Sequence, residues 1–90
     1  MQEEDKILHF KKAAGEIIQE MRGKNSNFSL NEFARQYEID RSNLSKIERG
    51  INSCSLITAW RIAEAAGVKF SDFAKQLEDK LGDDFKLMDE

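Results

Sequence analysis

One short helix would hold four polar side chains together on its surface: Arg41, Ser42, Ser45 and Lys46. Residues four positions apart are neighbours on a helix, so two of these residues occupy one turn and two occupy the next. A guanidinium makes paired hydrogen bonds to O6 and N7 of guanine, a lysine ammonium reaches the same acceptors, and a serine hydroxyl suits either partner. The spacing therefore indicates a surface that reads base edges, with a guanine-containing site expected. The alternative is an ordinary solvated helix face.

The helix that carries these residues is predicted between a capping residue and a glycine. Asp40 can accept the free backbone N–H groups of a first turn, and Gly50 suits the left-handed residue that ends a helix. Between them, Leu44 and Ile47 supply a buried face. A helix of two or three turns is too short to be stable alone, so it must pack against other elements.

A second short helix is predicted immediately before the first. Ser29, with Glu32 three residues later, fits a capping box. The apolar positions that follow have helical spacing: Leu30, Phe33, Ala34 and Tyr37. Only residues 38–40 separate the two helices, and a turn of about three residues sets two helices at roughly a right angle. This stretch is therefore predicted to be a helix-turn-helix, the arrangement of a DNA-binding motif.

The same stretch resembles the lambda repressor and Cro family of helix-turn-helix proteins, also called the XRE family. The resemblance covers roughly Ile17 to Leu77, and its most specific piece is the run LSKIERG. The positions that match the usual pattern of the family are Ser29, Ala34, Ile39, Leu44, Ser45, Ile47, Glu48, Gly50, Ser55, Leu56, Thr58, Ile62, Ala63, Ala65, Gly67 and Val68. The sequence departs from the family pattern at four positions. These are Phe33 where Leu is common, Glu38 where Gly is common, Cys54 where Pro is common, and Ala66 where Leu is common. None of these departures removes a group that is expected to touch DNA.

The resemblance implies contacts to phosphates as well as to bases. Residues 41–49 would form the recognition helix that enters the major groove. Asn43 points more sideways than its neighbours and is expected at a phosphate, as are Asn52 and Ser53 after the helix. Ser29 and Asn31 stand at a helix N-terminus, where free N–H groups and the helix dipole favour an anion.

Charged residues near the end of the recognition helix are expected to have structural roles. In the family, the position of Glu48 pairs with an arginine at the end of helix 1, so the resemblance implies an ion pair with Arg22 that orients the recognition helix. Lys24 is the alternative partner. Arg49 is equally consistent with a phosphate contact and with a basic side chain that complements the negative end of the helix dipole.

Apolar spacing and the resemblance together predict an all-α, five-helix domain of lambda-repressor type, in which helices 2 and 3 form the motif. The other helices are expected at about residues 4–22, between Ser55 and Gly67, and at residues 70–81. A polar loop is expected over residues 23–27, and Leu56 is expected to point inward from helix 4. Residues 1–82 would form one domain, and residues 83–90 an acidic tail that either docks on a partner subunit or frays.

Trp60 lies at the margin of the inward stripe of helix 4, where it would be exposed unless it meets another subunit. We therefore expect a two-fold homodimer built from helix 5 and the tail, with Trp60 contributing. The helix 5 residues expected in this interface are Phe70, Phe73, Leu77 and Leu81. Such a dimer would present two recognition helices about one DNA turn apart to a palindromic operator.

Composition excludes several other classes of function. The chain has one histidine and one cysteine, so we expect no metal site, cofactor, disulfide framework or Cys/His nucleophile, and no catalysis. No apolar stretch approaches the roughly 18 residues of a membrane span. The acidic start of the chain does not resemble a signal peptide, so a cytoplasmic protein without membrane contact is expected.

Two classes of function stay open. The net charge is −3, and the only net-positive segment is residues 22–50, with six basic and four acidic residues. The intact polar face favours a sequence-specific, double-stranded DNA-binding transcriptional regulator, such as a prophage-type repressor or the controller protein of a restriction-modification system. The acidic balance favours the alternative, an antitoxin-like or adaptor module that keeps the fold and binds another protein, because DNA binding draws on phosphate neutralisation.

Overall fold

The structure is a computed structural model that describes residues 3–25 and 29–88, apart from the side chains of residues 3, 24 and 25. Within these residues the chain forms five helices and no strand: α1 (Glu3–Asn25), α2 (Leu30–Gln36), α3 (Arg41–Glu48), α4 (Leu56–Ala65) and α5 (Phe70–Leu81). The prediction of an all-α fold with five helices is confirmed. The short turn predicted between the second and third helices joins α2 to α3.

The helix α1 ends at Asn25 and not at Arg22 as predicted. Gly23, expected to begin the polar loop, is helical and exposed. A glycine inside a helix costs only about 1 kcal/mol relative to alanine, so by itself it does not end one. Ser26 and Asn27, the last residues of the expected loop, lie outside the described residues.

Side chains at three helix N-termini form the predicted caps. Ser29, Asp40 and Ser55 each accept a hydrogen bond from the backbone N–H three residues later, at 3.3, 3.0 and 3.1 Å respectively. Replacing a cap of this kind by alanine costs about 1 kcal/mol, so the three residues help to fix where α2, α3 and α4 begin. The helix α5 begins after Lys69 and has no side-chain cap.

Each of the first four helices contributes large, fully buried side chains to the core: Ile18, Phe33, Leu44, Ile47 and Ile62. From α5, Phe73 closes this core and is only 5% exposed. The sequence predicts Phe73 at a dimer interface, and the structure corrects this prediction. Its ring packs within its own chain and exposes too little surface to anchor a partner subunit.

The helix α1 crosses the C-terminal end of α3 at a distance that only glycine permits. A Cβ atom on Gly15 would lie 2.3 Å from the carbonyl oxygen of Ile47 and 2.8 Å from that of Glu48. Real Cβ atoms essentially never come this close to another heavy atom. The missing side chain therefore lets the two backbones touch.

An ion pair joins the same two helices. Arg22 Nε donates to Glu48 Oε2 at 2.7 Å, and Arg22 Nη2 donates to Glu48 Oε1 at 2.9 Å. The side chains are 15% and 5% exposed, and the hydrogen bond to Glu48 raises the pKa of Arg22 above its ordinary value. The side chain of Lys24, the alternative partner, lies outside the described residues. The carboxylate of Glu48 thus faces α1 and not the outer surface of α3.

The segment after α5 folds back onto α1. Gly82 has a φ of 91°, which turns the chain. The ring of Phe85 then lies 5.8 Å from that of His9 and 6.3 Å from that of Phe10, measured between centroids. This part of the expected tail therefore packs on its own chain.

One residue in the turn between α2 and α3 adopts an unfavourable backbone conformation. Glu38 has a φ of 55°, and among the described residues it is the only residue other than glycine with a positive φ. The N–H of Ile39 donates to the carbonyl oxygen of Ala34 at 2.8 Å, which holds the turn closed. A Cβ atom makes the left-handed conformation unfavourable by roughly 1–2 kcal/mol.

Replacing Glu38 with glycine is expected to raise the free energy of unfolding by about 1 kcal/mol, because relief of the strain exceeds the extra chain entropy of glycine. Urea denaturation followed by circular dichroism measures the change. Glu38→Ala is the matched control, since it removes the same carboxylate but keeps the Cβ atom, and it should gain less than half as much. Equal gains for the two variants would trace the strain to the carboxylate instead of the backbone.

Breaking the ion pair between α1 and α3 leaves a largely buried charge without its partner. We expect Arg22→Ala and Glu48→Ala each to lower the free energy of unfolding by about 3–5 kcal/mol, and the double variant to lose less than the sum. The control is Asp79→Ala, which breaks the exposed pair between Asp79 and Lys75 and should cost less than about 0.5 kcal/mol. A cost for Glu48→Ala no larger than that of the control would contradict the structural role of the pair.

Candidate nucleic-acid interface

The helix α3 turns one face into the core and the other outward. Its inner face carries the three buried residues of the helix, and the last of them is the ion-paired Glu48. The outer face carries the four residues expected to read bases. Ser45 is half-buried, and the other three are exposed: Arg41, Ser42 and Lys46. The four residues thus share a surface that is open to a ligand.

Arg41, at the N-terminal end of this face, is held by a residue of α2. Its Nε donates to Oδ1 of Asn31. Asn31 is expected at a phosphate and Arg41 at a base, and the structure brings the two side chains into direct contact. Of the described residues, none accepts a hydrogen bond from the terminal guanidinium nitrogens of Arg41, so these nitrogens can point outward as a fork. Sequence reasoning missed this pairing because it joins two helices.

A second amide contact links α3 to the loop that follows it. Asn52 Nδ2 donates to Asn43 Oδ1 at 3.0 Å. The backbone N–H groups of Ile51 and Asn52 both donate to the carbonyl oxygen of Lys46, at 2.8 and 3.3 Å. The loop therefore folds tightly against the end of α3, and it brings two of the expected phosphate ligands together.

The remaining phosphate candidates have different surroundings. The hydroxyl of Ser29 accepts the N–H of Glu32 and donates to its carboxylate at 3.0 Å, so the cap of α2 engages it fully. Arg49 Nε donates to the carbonyl oxygen of Ser45 at 3.4 Å, which is how a basic residue complements a helix C-terminus. Ser53 is exposed.

The outer face of α3 and its C-cap residue carry three exposed cations: Arg41, Lys46 and Arg49. In the part of the chain that the structure describes, none of them forms an ion pair with a carboxylate. The nearby carboxylate of Glu48 is turned inward to Arg22. The described residues therefore provide no ion-pair partner for the positive charge of this face.

Four of the exposed large apolar residues lie around the start of α4, and of these only Trp60 is an expected interface residue. These four residues are between 52% and 73% exposed, and together we call them the α4 patch: Ile51, Leu56, Ile57 and Trp60. The expectation that Leu56 points inward is wrong, because the first turn of α4 projects beyond the core. The ring of Trp60 stacks on that of Phe70, with 5.4 Å between the ring centroids and an interplanar angle of 19°. Leu77 and Leu81 are half-buried.

The single cysteine is not positioned as a nucleophile. Burial raises the pKa of Cys54 to about 11, so its thiol is protonated at neutral pH. His9 lies on α1 with its ring against Phe85. Within residues 3–25 and 29–88, no group of three or more His, Cys, Asp or Glu residues is arranged to hold a metal ion.

The family model for helix-turn-helix proteins matches residues 18–73, more than half of the chain. A comparison with curated proteins finds no match. In the described part of the chain, no helix combines the length and the apolar character needed to cross a membrane. The matched span begins in α1 and ends in α5, so it includes the outer face of α3 and both members of the ion pair between Arg22 and Glu48. The chain therefore belongs to the helix-turn-helix family of lambda repressor and Cro-like DNA-binding regulators.

Proposed function

We propose that the protein is a sequence-specific transcriptional regulator that binds a palindromic operator in double-stranded DNA as a homodimer. The observation that carries the proposal is the outer face of α3, where exposed polar and basic side chains have no carboxylate partner among the described residues. A helix of this size fits the major groove and presents its N-terminal residues to base edges.

The proposed base contacts come from one side of α3. Arg41 takes a guanine through its terminal guanidinium nitrogens, and the bond from its Nε to Asn31 supports this use because it limits the rotation of a long side chain. Lys46 reaches a second guanine acceptor, while Ser42 and Ser45 adapt to either a donor or an acceptor. Each good base contact is worth about 1–3 kcal/mol of discrimination.

The proposed phosphate contacts surround these residues. Asn43 and Asn52 form one amide pair at the edge of α3, and Ser53 extends it along the loop. Ser29 and Asn31 bind a second phosphate at the start of α2, and Arg49 binds a third near the end of α3. For Ser29 the donor would be a backbone N–H, since its hydroxyl is engaged in the cap.

The proposed dimer uses the α4 patch together with the exposed edge of α5. Trp60 and Phe70 form a stacked aromatic pair, and large aromatic side chains are enriched in subunit interfaces. Leu77 and Leu81 extend this surface along α5. This proposal differs from the sequence expectation in two ways, since Phe73 belongs to the core and the tail segment near Phe85 packs on α1.

A second candidate function rests on the same α4 patch. An antitoxin-like or adaptor module would use these exposed apolar residues to bind a different protein, and the net charge of −3 is unfavourable for a DNA partner. Binding to DNA separates the two candidates.

Selection from a random duplex library is expected to yield a palindromic, guanine-containing site, whose binding is measured by fluorescence anisotropy. Arg41→Ala and Lys46→Ala should each weaken binding to this site by about 1–3 kcal/mol and reduce discrimination against mutated sites. Lys75→Ala is the control, because it removes an exposed lysine of α5 and should change the affinity less than about twofold.

Unchanged operator binding in both α3 variants would show that other residues read the bases. Failure to enrich any site, combined with the absence of salt-dependent binding to random duplex DNA, would favour the protein-binding alternative.

Sedimentation at micromolar concentration is expected to show a dimer, and Trp60→Ala is expected to weaken dimerisation at least about tenfold, since truncated aromatic anchors commonly cost 2 kcal/mol or more. Leu8→Ala is the matched control, because Leu8 is an exposed apolar residue outside the α4 patch. A wild-type chain that stays monomeric with and without DNA would contradict the dimer.

A further inference from the structure

A groove opens between α1 and α5 and ends against the loop that follows α3. Its volume is about 260 Å³. The walls are aromatic and aliphatic and include Phe10 of α1, Ile47 at the end of α3 and Phe73 of α5. The groove shares three lining residues with the proposed dimer surface: Leu56, Phe70 and Leu77. The ring of Phe85 lies 6.3 Å from that of Phe10, so the folded-back segment supports this wall.

We propose that this groove binds a small, uncharged aromatic molecule, and that the bound molecule regulates the contact between α3 and DNA. The regulatory part rests on the proposed function, whereas the binding part does not.

The lining of the groove selects the chemistry of the ligand. Its two charged residues are Lys11 and Glu78, one of each sign, so the groove offers no net charge to an ionic ligand. An apolar cavity of about 150 Å³ engineered in another protein binds benzene. The larger volume of this groove therefore accommodates one or two fused rings.

The polar groups of the groove lie mainly at its end, in the loop after α3. Three residues with polar side chains line the groove there: Asn52, Ser53 and Cys54. A ring that carries one hydroxyl group can place its apolar part between α1 and α5 and hydrogen-bond at this end. Ligand sites of this type combine mostly apolar walls with a few polar groups that fix the orientation.

Asn52 belongs both to the groove and to the candidate DNA interface. It is one of the residues that line the groove, and its side-chain Nδ2 donates to Asn43 Oδ1 at 3.0 Å. A ligand that turns this amide toward the groove to hydrogen-bond it breaks the contact with Asn43, which is a proposed phosphate ligand. Binding of the ligand and binding of DNA then oppose one another by the same factor in each direction.

The binding part is tested with 2-naphthol, which is uncharged at pH 7, and with the anion 2-naphthoate as its charged counterpart. Titration of the ¹⁵N-labelled chain without DNA is expected to give saturable shifts at the amides of Ile47, Asn52 and Cys54, with a dissociation constant of roughly 1 mM or lower. We expect 2-naphthoate to bind at least tenfold more weakly.

Two variants on α5 locate the site. Ala74→Leu fills the groove, because Ala74 is one of its lining residues, and is expected to abolish the shifts. Gln76→Leu adds the same side chain at an exposed position of α5 and should keep them.

Cys54 provides a readout that needs no substitution. Alkylation of this protonated thiol by iodoacetamide is slow at pH 7. Because Cys54 lines the groove, saturating 2-naphthol should slow the alkylation at least a further threefold over a long incubation. Shifts that fail to saturate, shifts that persist in Ala74→Leu, or an unprotected thiol would overturn the groove as a binding site.

The regulatory part is tested by anisotropy on the selected duplex. Saturating 2-naphthol should weaken binding of the wild-type chain to this duplex at least threefold. The DNA affinity of the Asn52→Ala variant should be the same with and without 2-naphthol. Unchanged DNA affinity in a chain that binds 2-naphthol would overturn the regulation. A chain that binds 2-naphthol but selects no DNA site would overturn the regulation together with the proposed function, and would still support the groove.

Discussion

The position of α3 depends on how closely α1 approaches its C-terminal end. At Gly15 the two backbones touch because no side chain separates them, which sets the distance between the helices. At Arg22 the bidentate bond to Glu48 sets the rotation of α3 about its own axis. Successive residues of a helix differ by about 100° in direction, so fixing the direction of one side chain fixes the direction of all. The outward face of α3 follows from these two contacts.

Side-chain amides then order that face before any ligand arrives. Asn31 holds the guanidinium of Arg41, and Asn52 holds the amide of Asn43. Side chains that are already held lose less conformational freedom on binding, which leaves more of the interaction energy for affinity. This matters in a chain with a net charge of −3, because general attraction to phosphates contributes little and a few well-placed contacts must supply the rest.

Much of the fold could be predicted because it follows from local rules. Caps at Ser29, Asp40 and Ser55 and the spacing of apolar residues depend on neighbours along the chain, and the five helices agree with them. The missing parts depend on contacts between elements. Nothing local distinguishes Gly15, at a backbone contact, from Gly23, which faces open space. The exposure of Leu56 likewise depends on where the core ends, which periodicity within one helix does not reveal.

The folded-back segment after Gly82 has a consequence for the connectivity of the chain. Phe85 lies against His9, and Glu3 is only six residues before His9 in the same helix, about 9 Å along its axis. The start of α1 therefore lies near the segment that follows α5, so a short linker between the two could close the backbone into a ring. A ring can be opened at an exposed turn, such as the one at Gly67, without separating any packed pair of helices. A circularly permuted chain of this kind would keep the same packing of helices with a different order of helices along the sequence.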